Sequence, residues 1–240
     1  MNIGAMILAA GRGERMRPLS DTTPKPLLVA GGAPLIVHQI RALSRAGFTT
    51  IAINVSHCAD AMIEALGDGS KLGVTIRWSR EREPFETAGG IATAMPLLPP
   101  GPALIVSGDI WTRYDYRRLV PIAERMHDDV DLPRVHLVMV PNPSYHPLGD
   151  FSLDQSASLV HRSQTTDRRG MFTYGNIGIY DTALFRELPR ETKLQLLPLL
   201  NAWIDAGQVS GELYEGPWEN VGTPADLVRL DAALGATPLL

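Results

Sequence analysis

Gly11, Gly13, Arg15, Arg17 and Lys25 crowd into one stretch directly after the apolar run Ile3–Ala10. Small residues after a buried strand let the backbone approach a ligand, and their N–H groups can converge on a phosphate. Three cations on one loop can neutralise a polyphosphate. Lys25 stands between Pro24 and Pro26, which restrict the chain around it. Two widespread phosphate loops do not fit. A Walker A loop needs Gly-Lys-Ser/Thr, and the dinucleotide fingerprint needs glycine where Met16 stands. A plain glycine-rich turn with solvated arginines is the competing account.

Other chemistries find little support. The histidines at 38, 57, 127, 136, 146 and 161 show no zinc-binding spacing and read as surface or satisfied core residues. No Gly-x-Ser-x-Gly elbow occurs. Cys58 is the single cysteine, which excludes an internal disulfide and a cysteine-based zinc site. Arg77, Arg80 and Arg82, interleaved with Glu81 and Glu83, read as a solvated mixed-charge face.

The elements that must position the loop alternate between strand and helix. Ile3–Ala10 reads as a buried strand and Pro34–Ala46 as a helix closed by Gly47. Thr50–Val55, Val74–Trp78, Ala103–Val106 and Val135–Val140 read as strands. Ala59–Leu66, Thr87–Met95 and Arg117–His127 read as helices between them. This order predicts an α/β fold, with a Rossmann-like, mostly parallel sheet and helices on both faces. Beyond the proline-rich segment Pro141–Pro147, residues 149–180 look rich in strands and 193–206 helical. Leu213–Val221 looks extended, and Thr223–Leu234 reads as a closing helix.

The 240 residues are 45% apolar and 20% charged, enough for a substantial core in one large domain or two small ones. Lys plus Arg number 22 against 26 Asp plus Glu, a net charge of −4. That balance argues against a nucleic-acid binder, which needs clustered basic residues. Ile3–Ala10 lacks the charged flank of a signal peptide and is far short of the ~20 apolar residues of a membrane span, so no membrane association is expected. The cytoplasm is the expected location.

Taken as a string, Gly11-Arg12-Gly13-Glu14-Arg15-Met16-Arg17-Pro18-Leu19 followed by Pro24-Lys25-Pro26 resembles the signature of sugar-1-phosphate nucleotidylyltransferases. The resemblance continues through Glu86-Thr87-Ala88-Gly89-Gly90, Ser107-Gly108-Asp109, Gly149-Asp150-Phe151 and Trp218-Glu219-Asn220-Val221-Gly222-Thr223. The opening string, Pro84 to Ile91 and Val209-Ser210-Gly211-Glu212 are similar in particular to bacterial uridylyltransferases for N-acetylmuramate 1-phosphate, which serve cell-wall recycling. The resemblance implies one domain over residues 1–240. A nucleotide-binding lobe would span about 1–140, a smaller sugar-binding lobe about 141–220 and a closing helix about 223–234.

The implied reaction joins a sugar 1-phosphate to UTP and releases pyrophosphate, without a covalent enzyme intermediate. Arg15, Lys25 and Asp109 are the implied catalytic residues. Arg15 would lie along the β- and γ-phosphates, and Lys25 near the α-phosphate and the sugar phosphate. Asp109 ends a buried strand, where open parallel sheets leave a ligand crevice, so its carboxylate is placed for Mg²⁺. Its competing role is a helix cap before the Tyr114 region. The second implied Mg²⁺ ligand is Asn220, where close relatives more often carry Asp. Leu8, Ala9, Ala10, Gly11, Gly13, Glu14, Thr87 and Gly89 would complete the nucleotide site. Glu86, Gly149, Asp150 and Asn176 would meet the sugar. Arg113, Arg162 and Arg168 are unranked candidates for the lactyl carboxylate, and Lys193 reads as structural.

Two other functions stay open on the residues. One is guanylyl or thymidylyl transfer to mannose, heptose or glucose 1-phosphate. The other is an inactive nucleotide-sugar-binding regulator, for which Asn220 is the one feature. The sequence does not set an oligomeric state.

Overall fold

The computed structural model describes residues 3–154, 159–161 and 170–235. Through Val140 the elements are β1 (Gly4–Leu8), the ribbon strands β2 (Val29–Ala30) and β3 (Ala33–Pro34), α1 (Leu35–Arg45), β4 (Thr50–Val55), α2 (Ala59–Leu66), β5 (Thr75–Arg80), α3 (Glu86–Ala94), β6 (Pro102–Ser107), β7 (Ile110–Thr112), α4 (Val120–Asp128) and β8 (Val135–Val140). There follow β9 (Phe151–Asp154), β10 (Leu159–His161), β11 (Met171–Asp181), α5 (Leu196–Asp205), β12 (Val209–Leu213), β13 (Trp218–Asn220) and α6 (Pro224–Gly235).

Most expected boundaries move by one or two residues, and two expected elements divide, each at a proline. The helix expected over Arg117–His127 divides into a 3₁₀ turn, Tyr116–Leu119, and α4, because Pro121 occupies the first turn of α4 and cannot donate backward. The extended segment expected over Leu213–Val221 is the end of β12 and then β13, broken at Gly216-Pro217.

The main sheet runs β5-β4-β1-β6-β11-β8-β12-β10-β9. β5, β4, β1 and β6 are parallel neighbours, the expected parallel half. Beyond them the sheet is mixed. β11 is antiparallel to both β6 and β8, β12 is parallel to β8, and β10 and β9 close the far edge antiparallel. The chain leaves β1 for β4 on one side and returns through α3 to β6 on the other. That reversal is a topological switch point, and it opens a crevice at the carboxyl ends of β1 and β6.

Both faces of the sheet are covered, which is why β1 is apolar throughout. Ala5 and Ile7 pack with Ile36, Ile40, Leu43, Met62 and Met126 from α1, α2 and α4. Met6 points the other way, toward Ala88 and Ile91 of α3 and Leu200 and Ile204 of α5. A third cluster of Met16, Leu28, Ala30, Leu35, Val221 and Leu230 pins the loop after β1 against α6. Each of the larger side chains here contributes about 1.5–3 kcal/mol by burial, so packing holds the loop in place. Among the described residues, no helix is long and apolar enough to cross a membrane.

Candidate active site

The crevice at the switch point is a cavity of about 690 Å³. Leu8, Ala9, Ala10, Gly11, Gly13, Glu14, Arg15 and Lys25 line one side, with Glu86, Thr87 and Asp109 across from them. Gly13 adopts φ +64°, and a Cβ there would sit 3.0 Å from the Lys25 Cβ. Only glycine lets the loop turn left-handed while lying against the lysine. Its carbonyl accepts a hydrogen bond from Ser20 Oγ at 2.8 Å, which closes the loop on itself.

Lys25 is buried, and its Nζ lies 2.5 Å from Asp109 Oδ2. Asp109 does not cap a helix. The chain continues into β7, and Asp115 caps the next turn by accepting from the Arg117 N–H. β7 pairs with β13, which sets Asn220 opposite Ile110, and the Val221 N–H donates to the Asp109 carbonyl at 3.0 Å. Asp109 and Asn220, far apart in sequence, thus become neighbours. Asn220 Oδ1 is buried and has no hydrogen-bond partner among the described residues. Glu219 turns away and pairs with Arg229 at 2.8 Å, as strand alternation requires. No group of three or more His, Cys, Asp or Glu suited to a metal occurs among the described residues. The oxygens of Asp109 and Asn220 are instead a partial, hard donor set.

Arg15 is exposed, and its guanidinium lies against Gly222, 3.5 Å from where a Cβ would be. It forms no ion pair among the described residues and also lines a cavity of about 730 Å³ that includes Trp218 and Asn220.

A buried hydrogen-bond relay sets the loop's height. Asn54 Oδ1 accepts from the Ala9 N–H at 2.8 Å, and Asn54 Nδ2 donates to Glu81 Oε1 at 2.7 Å. Glu81 Oε2 accepts from the Phe85 N–H at 2.9 Å. Glu81 is therefore not part of a solvated face. It is 5% exposed, and burial raises its pKa above the ordinary glutamate value against those two hydrogen bonds. Gly90 leaves the space for this relay, since a Cβ there would meet Asn54 Nδ2 at 2.7 Å and Glu81 Oε1 at 2.9 Å. Asn54 and Glu81 escape sequence reasoning because only the tertiary fold brings them together.

Gly89 does not line the cavity. The Ala88 and Gly89 N–H groups donate to the Leu194 carbonyl, and a Cβ on Gly89 would collide with the Thr192 carbonyl at 2.0 Å. Gly89 is a packing glycine under the segment before α5. Lys193, on that segment, pairs with Glu83 at 2.6 Å and does line the cavity.

A second cavity of about 530 Å³ adjoins the first and shares Leu8, Glu86, Thr87 and Ser107 with it. Asp150 and Asn176 line it. Glu86 (φ +61°) and Asn176 (φ +56°) both hold left-handed backbone, a strain that concentrates at ligand sites. Asp150 is held by the Tyr174 N–H at 2.8 Å and by His146 Nε2 at 3.0 Å. Gly149 supports the bend from beneath, close to Asn142 and the Phe172 carbonyl. Arg113 is exposed and lines none of these cavities. Arg162 and Arg168 lie outside the described residues. His136 departs from expectation: it is buried, with Nδ1 2.9 Å from Ser210 Oγ, but its Nε2 has no partner among the described residues.

A family model described as nucleotidyl transferase matches residues 4–236. The chain is 42% identical to the N-acetylmuramate alpha-1-phosphate uridylyltransferase of Neisseria meningitidis serogroup B, over 97% of this chain and 98% of that protein. It is 28% identical to the mannose-1-phosphate guanylyltransferase of Mycobacterium tuberculosis, over 97% of this chain, but spans only 64% of that protein. Among solved structures, the fold matches a putative glucose-1-phosphate thymidylyltransferase from Bacillus anthracis with TM-score 0.83 at 20% identity, covering 99% of this chain and 97% of that one. It also matches HddC from Yersinia pseudotuberculosis, solved with GMP-PN, with TM-score 0.76 at 18% identity, covering 96% of this chain and 99% of that one. With its β1–β6 crevice, its glycine and arginine loop, and this match over nearly its whole length, the chain belongs to the nucleotidyl transferase family.

Proposed function

We propose that the protein is a uridylyltransferase that joins N-acetylmuramate 1-phosphate to UTP, yielding the UDP-sugar and pyrophosphate, as a step of cell-wall recycling in the cytoplasm. The observation that carries this is the 42% identity to a relative of that activity along nearly the full length of both chains. The cavity pair fits it, with an anion-binding crevice continuous with a more apolar pocket.

A phosphate oxygen of the sugar 1-phosphate attacks the α-phosphorus of UTP. The bond from that phosphorus to the bridging oxygen breaks, and pyrophosphate leaves with the electron pair. Holding two anions in line and stabilising the spreading charge is the main catalytic task. The backbone from Leu8 to Gly13, with Thr87 opposite, frames the nucleotide, and the Asn54–Glu81 relay fixes the Ala9 N–H from beneath. Arg15, which has no ion-pair partner among the described residues, takes the β- and γ-phosphates. Lys25 bridges the α-phosphate and the sugar phosphate, and in the ligand-free protein Asp109 balances its charge. Glu86, Asp150 and Asn176 orient the sugar. Asp109 and the unpartnered Asn220 Oδ1 fit a bound Mg²⁺. When bound there, the ion would neutralise phosphate charge. In this scheme residues of about 1–140 carry the nucleotide site, with Glu86 reaching across to the sugar, and about 141–220 supply the rest of the sugar site.

The test is pyrophosphate release from a panel of nucleoside triphosphates against a panel of sugar 1-phosphates. UTP with N-acetylmuramate 1-phosphate is the expected best pair. Preference for GTP with mannose 1-phosphate would replace this assignment by guanylyl transfer. Binding without turnover of any pair would replace it by a regulatory role.

A further inference from the structure

We propose that His146 is the specificity residue for a carboxylate on the sugar. This rests on the sugar-1-phosphate function assigned above and names the group that reads the substituent. Relative to N-acetylglucosamine 1-phosphate, N-acetylmuramate 1-phosphate adds a lactyl ether that ends in a carboxylate. A site that selects it needs a cation or several N–H donors near the sugar and away from the reacting phosphates.

The second cavity supplies one such group. Glu86 and Asp150 make its wall acidic, which opposes an incoming carboxylate. Among its described lining residues no Lys or Arg is present, and His146 is the one side chain that can carry a positive charge. The cations nearby, Arg12, Arg15, Lys25 and Lys193, line the neighbouring nucleotide crevice instead, and Arg15 also lines the cavity beside Trp218. Arg15 and Lys25 are placed for phosphates, and Lys193 is already paired with Glu83 at 2.6 Å.

The imidazole is also built into place. Nε2 lies 3.0 Å from Asp150 Oδ1, and the other Asp150 oxygen is anchored by the Tyr174 N–H at 2.8 Å. The His146 N–H donates to the Pro143 carbonyl at 2.9 Å, and the Gly149 N–H donates to the His146 carbonyl at 3.3 Å. Gly149 has φ +61°, and any larger residue there would strike Asn142 at 2.7 Å. The bend that brings Asp150 back to His146 therefore depends on glycine. An Nε2–H donated to an oriented carboxylate fixes the ring plane, and a carboxylate on the sugar would be met by a proton on Nδ1, the second ring nitrogen. Asp150 thus positions the ring, and His146 reads the substrate.

The experiment compares kcat/KM for N-acetylmuramate 1-phosphate and N-acetylglucosamine 1-phosphate, both with UTP, in wild type, His146→Gln and His146→Lys. The expected result for His146→Gln is a loss of about tenfold or more with the muramate substrate and a change within about twofold with the glucosamine substrate. His146→Lys should restore much of the preference. Equal losses on both substrates, or no loss on either, would overturn the assignment while leaving the uridylyltransferase function intact. Wild-type protein that does not turn over the muramate substrate would overturn that function, and this assignment with it.

Discussion

The Lys25 ammonium and the Asp109 carboxylate meet at 2.5 Å, although 84 residues separate them in the chain, and both face the nucleotide crevice. The pair lets a buried cation exist before any anionic substrate arrives. Removing the lysine deletes a preorganised electrostatic contact, worth ~10²–10³ in kcat at comparable sites. Lys25→Met should therefore keep a wild-type circular dichroism spectrum and lose about that much rate. Asp109→Ala leaves the lysine buried without its partner. It should lower the unfolding free energy in urea by roughly 1–3 kcal/mol, less than for a fully buried pair because Asp109 is one-third exposed. Near-wild-type turnover by Lys25→Met would remove it from the reaction.

Asn220 offers an uncharged oxygen where a carboxylate would bind a divalent cation more tightly. Asn220→Asp should stay active and reach half-maximal rate at a Mg²⁺ concentration several-fold lower. A Mg²⁺ titration of initial rate reads this directly. An unchanged midpoint would show that Asn220 is not a ligand.

Two N–H donors, from Asn54 and Phe85, converge on the two oxygens of Glu81. A glutamine there turns one acceptor into a donor facing a donor. Glu81→Gln should cost about 1–3 kcal/mol in urea denaturation, the usual size of a buried unsatisfied group. Stability equal to wild type would mean that the relay does not hold the loop.

These residues mark how far the sequence could be read. Thr50–Val55, Ala59–Leu66 and Val135–Val140 were legible to the residue, because β-branched or amphipathic runs there have sharp ends. The glycine loop and Asp109 were legible as crevice candidates because they follow buried strands, and Arg15 and Lys25 were expected from the resemblance of the strings around them; all of them line the crevice. Glu81 was misread because its sequence neighbours are charged, and only the approach of β4 brings it the Asn54 donor beside the local Phe85 N–H. The three-residue pairing of β7 with β13 joins segments over a hundred residues apart, too short and too distant for periodicity to reveal. Gly89 resembles a ligand-binding glycine in sequence, and only the Thr192 carbonyl beneath it shows a packing role.

His136 predicts the acid side of the stability profile. Ser210 Oγ donates to the Val135 carbonyl and so accepts from His136 Nδ1–H, leaving Nε2 as a bare, buried acceptor. Burial holds the imidazole pKa down at about 4, against 6.5 for a free one. The unfolded chain therefore binds the proton first. The contribution is intact above pH 6.5 and is lost as pH falls toward 4, by roughly 3 kcal/mol in all. His136→Asn can keep a donor toward Ser210 and cannot titrate. Its stability should vary less between pH 6.5 and 4 than that of wild type, and an equal slope would contradict this origin.

The central claim is tested most directly by incubating the purified protein with UTP, N-acetylmuramate 1-phosphate and Mg²⁺, and following pyrophosphate and nucleotide sugar together. Stoichiometric formation of both, slowed about 10²–10³-fold by Lys25→Met, is the predicted result. Pyrophosphate that forms only with another nucleotide, or not at all, would contradict it.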